Sequence, residues 1–251
     1  MSTLAQASTW WGRNVRLMLR NPAGVGGAVM TPAVFLLCFT ALFDRILAAQ
    51  GLDAGQRLPP AVLVQGLMAA GTGAGVLAAI DARTGMVARS RALPVSRASV
   101  FLGRLGADAL RFLLTTAALL LVGALLGFGF HGGALDVVAF VALALLFGTA
   151  YATACIWLGF ATRDEEIVMS ILALPFLLLF MLSSGIVPAE RFPDWIEPLI
   201  RESPISRTIE ALRALAEGGD VAATLPVAVA WLVGLTALGG AGAVRAYGRT
   251  S

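Results

Sequence analysis

The basic side chains of this 251-residue chain are 18 arginines, and the sequence contains no lysine. A phosphate-binding loop of the form GxxxxGKS or GxxxxGKT needs a lysine, and so do Schiff-base chemistry and catalysis by a lysine base. We therefore expect that this chain does not hydrolyse ATP itself.

Side chains that bind metals or act as nucleophiles are also scarce. His131 is the single histidine, and both cysteines, Cys38 and Cys155, lie inside apolar runs. A metal site needs several ligands together, and thiols within hydrocarbon serve as small apolar residues. The densest acidic group, residues 164–166, opens an apolar run, so we interpret it as a helix cap, with contact to a partner protein as the alternative. The sequence predicts no catalytic residue, metal site or cofactor on this chain.

The composition indicates a membrane protein. Apolar residues make up 58% of the chain and charged residues 13%, whereas soluble domains carry about 25% charge. So few charges would not cover the surface of a soluble protein. The composition therefore excludes a water-soluble monomer, a disordered chain and a disulfide scaffold.

Six runs contain no Asp, Glu, Arg or His and are long enough to cross a bilayer as helices, which takes about 20 residues. We predict an all-α fold with a single transmembrane domain over residues 1–251. Gly71 with Gly75, and Gly123 with Gly127, are spaced for close helix packing. The predicted spans cover about residues 25–47, 60–80, 110–130, 137–160, 166–187 and 221–244, and three of them include a charged residue near one end.

The arginines predict the orientation of these spans. Six spans leave both termini on one side, which then holds 12 arginines against six on the other. The positive-inside rule therefore places both termini in the cytoplasm. The first span and the basic region before it are longer than those of a signal peptide, so we expect the span to be retained, with cleavage near residues 47–49 as the alternative.

The first 20 residues have the pattern of a helix that lies in the membrane interface. One helical face is apolar and another carries three arginines. Such a helix places tryptophan among the headgroups and arginine against lipid phosphate. A disordered basic tail is the alternative. The predicted interfacial residues are Trp11, Arg13, Arg16 and Arg20.

The largest predicted cytoplasmic segment, residues 81–111, carries six arginines and two acids. Leu-Pro-Val-Ser at 93–96 breaks it into two pieces, and Ser96 is suited to cap the second piece as a helix. An arginine-rich helix that projects from the membrane suits docking into a groove of a soluble partner. The alternative is that these arginines only set the topology and contact lipid headgroups.

The predicted outer segment, residues 186–220, contains two short amphipathic patterns. Pro193 and Pro204 lie where helices start, and Gly218 follows the second pattern. We expect two short helices that lie in the outer leaflet or re-enter it. They would either stand above the exit of a transport pathway or form a plain structural lid.

Two stretches of the sequence carry a resemblance to a known family. One contains Asp81-Ala-Arg-Thr-Gly85, Arg91-Ala-Leu-Pro-Val-Ser-Arg97 and Gly103-Arg104-x-x-Ala107-Asp108-x-x-Arg111. The other contains Ser184-Gly185-Ile-Val-Pro188, Phe192-Pro193-Asp-Trp195-Ile-Glu-Pro198, Ser203-Pro204-Ile-Ser and Glu210-Ala-Leu-Arg213. With the six-span layout, they resemble type-2 ABC exporter permeases of the daunorubicin-resistance kind over nearly the whole chain.

The resemblance implies roles for both stretches. In the family, the first stretch contains the coupling helix that contacts the ATPase subunit, which makes the candidate coupling residues Asp81, Arg83, Gly85, Arg89, Arg91, Leu93, Pro94 and Arg97. The candidate residues of the outer re-entrant segment are Gly185, Pro188, Pro193, Trp195 and Pro204. The family's loop usually begins with several glutamates, whereas here Asp81 is the only acid before Arg83.

The resemblance also implies a permease subunit of an exporter in a bacterial plasma membrane, moving a hydrophobic or amphiphilic drug, lipid or glycolipid precursor. ATP and Mg²⁺ would bind a separate ATPase in two copies, and a second permease, identical or related, would complete the pathway; no nucleic acid is expected. The uncharged spans agree, because ion-coupled transporters keep charged groups at membrane depth. A membrane-embedded lipid-modifying enzyme and a scaffold without an ATPase are the alternatives.

Overall fold

The computed structural model describes residues 11–12, 15–16, 20, 22–86, 97–181 and 193–249. All regular secondary structure within these residues is helical. The helices of five residues or more in them are α1 (Pro22–Ala48), α2 (Ala54–Arg83), α3 (Arg97–Leu125), α4 (Ala134–Thr162), α5 (Glu165–Met181), α6 (Glu197–Arg201), α7 (Pro204–Glu217) and α8 (Val221–Arg249).

Five of the described helices are long and apolar enough to cross a membrane. The candidate spans within them are Met30–Ala48, Ala54–Arg83, Gly103–Leu125, Ala134–Thr162 and Val221–Gly248. The prediction of an all-helical chain with membrane-spanning helices is thus confirmed for the described residues. The predicted span at 166–187 is described only as far as Met181, so the count of six spans stays a prediction.

Helix α2 lies at the centre of the bundle. It contacts α1, α3, α4, α5 and α7, while α8 packs against α4 and α7. A Cβ on Gly159 would lie 2.2 Å from the carbonyl oxygen of Gly75, and a Cβ on Gly71 would lie 2.7 Å from the ring of Tyr151. Helices α2 and α4 therefore pack through their glycines, as predicted for Gly71 and Gly75. Side chains that are fully buried in the core of the bundle include Leu67, Met68, Phe112, Phe140 and Ile156.

Helix α3 differs from the predicted third span at both ends. It begins at Arg97 rather than near residue 110. The predicted boundary followed the charged residues, which mark where the hydrocarbon begins, but the helix extends past them. The second piece of the basic loop is therefore the start of the spanning helix itself. The helix ends at Leu125 rather than near residue 130, since Gly127 has a φ of 97° and the amide of Phe128 donates to the carbonyl of Gly123. Gly127 is a turn residue, and its predicted role in helix packing was wrong.

The helices define two ends of the bundle. Helix α2 ends and α3 begins at one of them, called here the loop end. The last turns of α4 and α8 lie there too, since the rings of Phe160 and Tyr247 are 5.4 Å apart. At the opposite end, a short turn joins α1 to α2, and Asp53 caps α2 by accepting a hydrogen bond from the amide of Gly55 at 2.8 Å. Helix α7 lies at that opposite end, where the amide of His131 donates to the carbonyl of Ala216.

Candidate functional site

The predicted coupling residues are described only in part. Asp81, Arg83 and Gly85 are described, and all three lie at the loop end. Arg97 begins α3, but its side chain is outside the described set. The other four predicted coupling residues lie outside the described residues: Arg89, Arg91, Leu93 and Pro94.

Gly85 turns the chain away from α2. Thr84 donates both its amide and its hydroxyl to the carbonyl of Ile80, at 2.9 and 2.8 Å, and this closes the helix. Gly85 follows with a φ of 70°, in the left-handed region that a residue with a Cβ adopts only at a cost. The loop therefore leaves α2 at a defined point.

Asp81 forms an ion pair with Arg104 of α3. Nη1 of Arg104 donates to Oδ2 of Asp81 at 2.8 Å, and Nη2 donates to the carbonyl oxygen of Ala74 at 3.2 Å. The guanidinium also lies 6.0 Å from the centre of the Phe160 ring in α4. A single side chain, 14% exposed, thus joins α2, α3 and α4.

Arg83, the last residue of α2, forms an ion pair with Glu165 at the start of α5. Its Nη2 lies 2.5 Å from Oε1 of Glu165. The neighbouring Asp164 caps α5, because its Oδ1 accepts hydrogen bonds from the amides of Glu166 and Ile167 at 2.8 and 3.2 Å. The capping role predicted for this acidic group is therefore confirmed for Asp164, while Glu165 has an interhelical role that the sequence analysis missed.

Asp108 is the buried acid of this end of the bundle. It is 4% exposed, and its Oδ1 lies 3.5 Å from Nη1 of Arg111. Its Oδ2 is buried and has no hydrogen-bond partner among the described residues. A buried carboxylate needs nearby positive charge, which the arginines of α3 supply. We call the charged residues of this end the loop-end cluster, which consists of Asp81, Arg83, Arg104, Asp108, Arg111 and Glu165.

Sequence analysis had placed Arg104, Asp108 and Arg111 in the family-like motif without assigning them a role. The available signal was the spacing of Arg104, Asp108 and Arg111, which places the three on one face of a helix. That pattern shows which residues share a face of α3, but it does not show which helix the face meets. Glu165 gave no such signal, because its partner is more than 80 residues away in the chain.

At the opposite end, α7 has the predicted start and end. Ser203 caps it, with Oγ accepting a hydrogen bond from the amide of Ser206 at 3.1 Å, and Pro204 is its first residue. Gly218 ends it with a φ of 74°.

The apolar face of α7 packs against the other helices, and its predicted place in the outer leaflet stays a prediction. Ile209 and Leu212 are fully buried there. Arg213 is 8% exposed and donates to the carbonyl oxygen of Arg57, with Nη2 at 3.1 Å. Burial, and after it the charge of Arg57, lowers the pKa of Arg213 to about 9, which leaves it protonated at neutral pH. A buried cation therefore anchors α7 to the start of α2.

The remaining predicted outer residues lie on the surface or outside the described set. Pro193 is exposed, Trp195 is 80% exposed, and Leu199, four residues further on, is 72% exposed. Gly185 and Pro188 fall outside the described residues.

The predicted interfacial helix is described at a few positions. Residues 11–12 and 15–16 are helical, and Trp11 is 45% exposed. Its ring packs against α3, since a Cβ on Gly106 would lie 2.8 Å from Cδ1 of Trp11. Arg16 and Arg20 are exposed, and Arg13 lies outside the described residues. Trp11 thus packs against α3 with part of its ring and leaves the rest exposed. Contact of the exposed part with lipid stays a prediction.

The loop-end cluster links α2, α3 and α5 through ion pairs, in which arginines contact each of its three carboxylates. Among the described residues, no three side chains of His, Cys, Asp or Glu are placed to hold a metal ion. These ion pairs can hold α2, α3 and α5 in fixed positions relative to one another where the loop leaves α2 and where it enters α3.

The sequence is similar to that of known proteins over most of its length. The model of a family described as ABC-2 type transporter matches residues 5–216. The chain is 29% identical over 236 residues to the probable doxorubicin resistance ABC transporter permease protein DrrC of Mycobacterium tuberculosis, covering 92% of this chain and 84% of that protein. It is 30% identical over 220 residues to the daunorubicin resistance ABC transporter permease protein DrrB1 of Streptomyces coeruleorubidus, covering 87% and 75%. It is 32% identical over 228 residues to the doxorubicin resistance ABC transporter permease protein DrrB of Mycobacterium tuberculosis, covering 85% and 78%.

Proposed function

The chain belongs to the ABC-2 type transporter family, and we propose that it is the membrane-spanning permease subunit of an exporter of hydrophobic, drug-like molecules. The observation that carries this proposal is the match over residues 5–216, which includes both the loop after α2 and the outer helix α7. The curated relatives are named as doxorubicin or daunorubicin resistance permeases, so these drugs are the first substrates to test.

The membrane topology is part of the proposal. The chain crosses the membrane six times, with the span predicted at 166–187 as the fifth, both termini lie in the cytoplasm, and the loop end faces the cytoplasm of a bacterial cell. The arginines support this orientation, since 12 of the 18 fall on the side of the termini when the chain crosses six times.

We propose that a separate ATPase subunit supplies the energy for transport. The chain contains no lysine, so a phosphate-binding loop of the usual form must lie on another subunit, which also binds Mg²⁺. Two ATPase subunits act on two permeases, of which the second is a copy of this chain or a related one.

The loop-end cluster supplies the mechanical connection. The segment at 87–96 contacts the ATPase, and the ion pairs Asp81–Arg104 and Arg83–Glu165 flank that segment. Because both flanks are tied to long helices, a displacement of the segment moves α2, α3 and α5 together instead of being absorbed within the loop. Motion of these helices opens the pathway, whose uncharged spans suit an amphiphilic cargo better than a bare ion.

The test is purification of the full chain from its native membrane, followed by transport in inside-out vesicles. We expect an ATP-hydrolysing chain to co-purify and doxorubicin to accumulate only with ATP and Mg²⁺. Vesicles that receive a non-hydrolysable ATP analogue are the control. Accumulation without nucleotide, or a preparation without any ATPase, would contradict the proposal.

A further inference from the structure

A groove of about 520 Å³ opens at the loop end between the last turns of α4 and α8. This volume lies within the range of about 300–1,000 Å³ that is usual for small-molecule sites. None of the described residues that line it is acidic. They are Trp157, Phe160, Ala161, Arg163, Gly242, Arg245 and Ala246.

The floor of the groove is apolar and well supported. Trp157 lies against α8, since a Cβ on Gly242 would stand 2.6 Å from its ring, and the indole is 48% exposed. Phe160 is buried, with the ring of Tyr247 at 5.4 Å and the guanidinium of Arg104 at 6.0 Å from its own. An apolar chain that entered the groove would therefore meet a fixed aromatic surface.

The rim of the groove is cationic. Arg163 directly follows α4, lies in the left-handed region with a φ of 58°, and is exposed; Arg245 is exposed in the last turns of α8. The C-terminal ends of α4 and α8 each contribute roughly half a negative charge. The two positive charges of Arg163 and Arg245 exceed that sum, so the rim has a net positive charge. Asp164, Glu165 and Glu166 follow Arg163 in the chain but do not line the groove; Asp164 caps α5 and Glu165 pairs with Arg83.

We propose that this groove binds an anionic phospholipid of the cytoplasmic leaflet, with the headgroup phosphate between Arg163 and Arg245 and an acyl chain along Trp157 and Phe160. The assignment to the cytoplasmic leaflet rests on the proposed function, which places the loop end inside the cell. Charge complementarity selects an anionic lipid. Basic pockets between spanning helices on that side are suited to such headgroups, and tryptophan favours the same depth.

The test is native mass spectrometry of the full chain in detergent, titrated with phosphatidylglycerol, with phosphatidylcholine and with inorganic phosphate. We expect phosphatidylglycerol to bind more tightly than phosphatidylcholine, and phosphate not to displace it at equal concentration. Each arginine near a lipid surface is worth about a fivefold change in affinity, so Arg163→Gln with Arg245→Gln should weaken phosphatidylglycerol binding by about thirtyfold.

Two variants make the result specific. Arg45→Gln removes an exposed arginine at the opposite end of the bundle and should leave binding unchanged. Trp157→Ala keeps both arginines and removes the apolar floor, so it should weaken phosphatidylglycerol binding as well. Equal binding of phosphatidylcholine, unchanged binding in the double arginine variant, or displacement by phosphate alone would overturn the proposal.

The proposal can fail separately from the proposed function. If the double arginine variant binds phosphatidylglycerol as the parent does while the parent chain still exports doxorubicin with ATP, the lipid site is wrong and the transporter assignment stands. If lipid binding behaves as expected but transport needs no nucleotide, the transporter assignment is wrong.

Discussion

Arg104 of α3 lies 2.8 Å from the carboxylate of Asp81 near the end of α2, and its second guanidinium nitrogen donates to the carbonyl of Ala74, about two turns earlier in α2. The pair joins the two helices on either side of the loop at residues 84–96. Both partners are at most about a third exposed, so the contact is better shielded than an ordinary surface ion pair.

Neutralising either partner of this pair should loosen the connection between α2 and α3. We expect Arg104→Gln and Asp81→Asn each to lower the free energy of unfolding in detergent by about 1–2 kcal/mol, and the double variant to lose much less than the sum. Thermal unfolding of the four proteins measures this cycle. Purely additive losses would show that the two residues do not act together.

Charge reversal in the loop should uncouple ATP hydrolysis from transport. We expect Arg91→Glu with Arg97→Glu to lower ATP-driven export at least about tenfold, since like charges at an interface cost several kcal/mol, while membrane insertion persists. The matched control is Arg45→Glu at the opposite end, which should export normally. Unchanged transport by the double variant would reject the coupling role of this segment.

The contact between α2 and α4 should not tolerate a side chain. Gly159→Ala would place a methyl group 2.2 Å from the carbonyl oxygen of Gly75, and we expect a loss of about 1–3 kcal/mol of unfolding free energy. Gly73→Ala on α2, the helix that carries Gly75, is the control, because no atom lies within 4 Å of its added Cβ. That control should be neutral or slightly stabilising, since alanine favours a helix over glycine. Equal effects of both changes would contradict the close packing.

Transport should not depend on a proton gradient. The charged residues of the predicted spans, Asp44, Arg45, Arg111 and Glu166, all lie within three residues of a span end, so none is placed to relay a proton across the bilayer centre. In inside-out vesicles supplied with ATP and Mg²⁺, a protonophore should therefore leave the rate of doxorubicin accumulation within about twofold of the untreated rate. Loss of accumulation on adding the protonophore, with ATP hydrolysis unchanged, would show ion coupling instead.

Much of the fold could be predicted from the apolar runs. Hydropathy located the helices α1, α2, α4 and α8 to within a few residues, because a stretch of apolar residues partitions into lipid as a local property of the chain. The prediction failed where a helix continued past its charges, as at Arg97, and where a glycine of an apolar run formed a turn, as at Gly127. In both cases local hydropathy indicates which residues lie in the hydrocarbon but does not indicate where the helix begins or ends.

The candidate site was predicted only as a segment. The motif around Asp81 and Arg83 indicated which stretch of chain would matter, and the family comparison confirmed the resemblance. The partners of these residues, Arg104 and Glu165, did not follow from it. Likewise, the apolar face of α7 was visible in the sequence, but its burial against other helices was not.

Composition and the apolar runs by themselves determined that this is a helical membrane protein whose chain lacks the lysine of a phosphate-binding loop, and two stretches of its sequence carried the resemblance to the family. Tertiary structure decided which charges meet at the loop end and which two arginines border the groove between α4 and α8. The physical reason is that partition into a bilayer sums over neighbouring residues of one segment. An ion pair or a groove between helices depends instead on the rotation and depth of each helix, and these are set by close contacts such as that of Gly75 with Gly159.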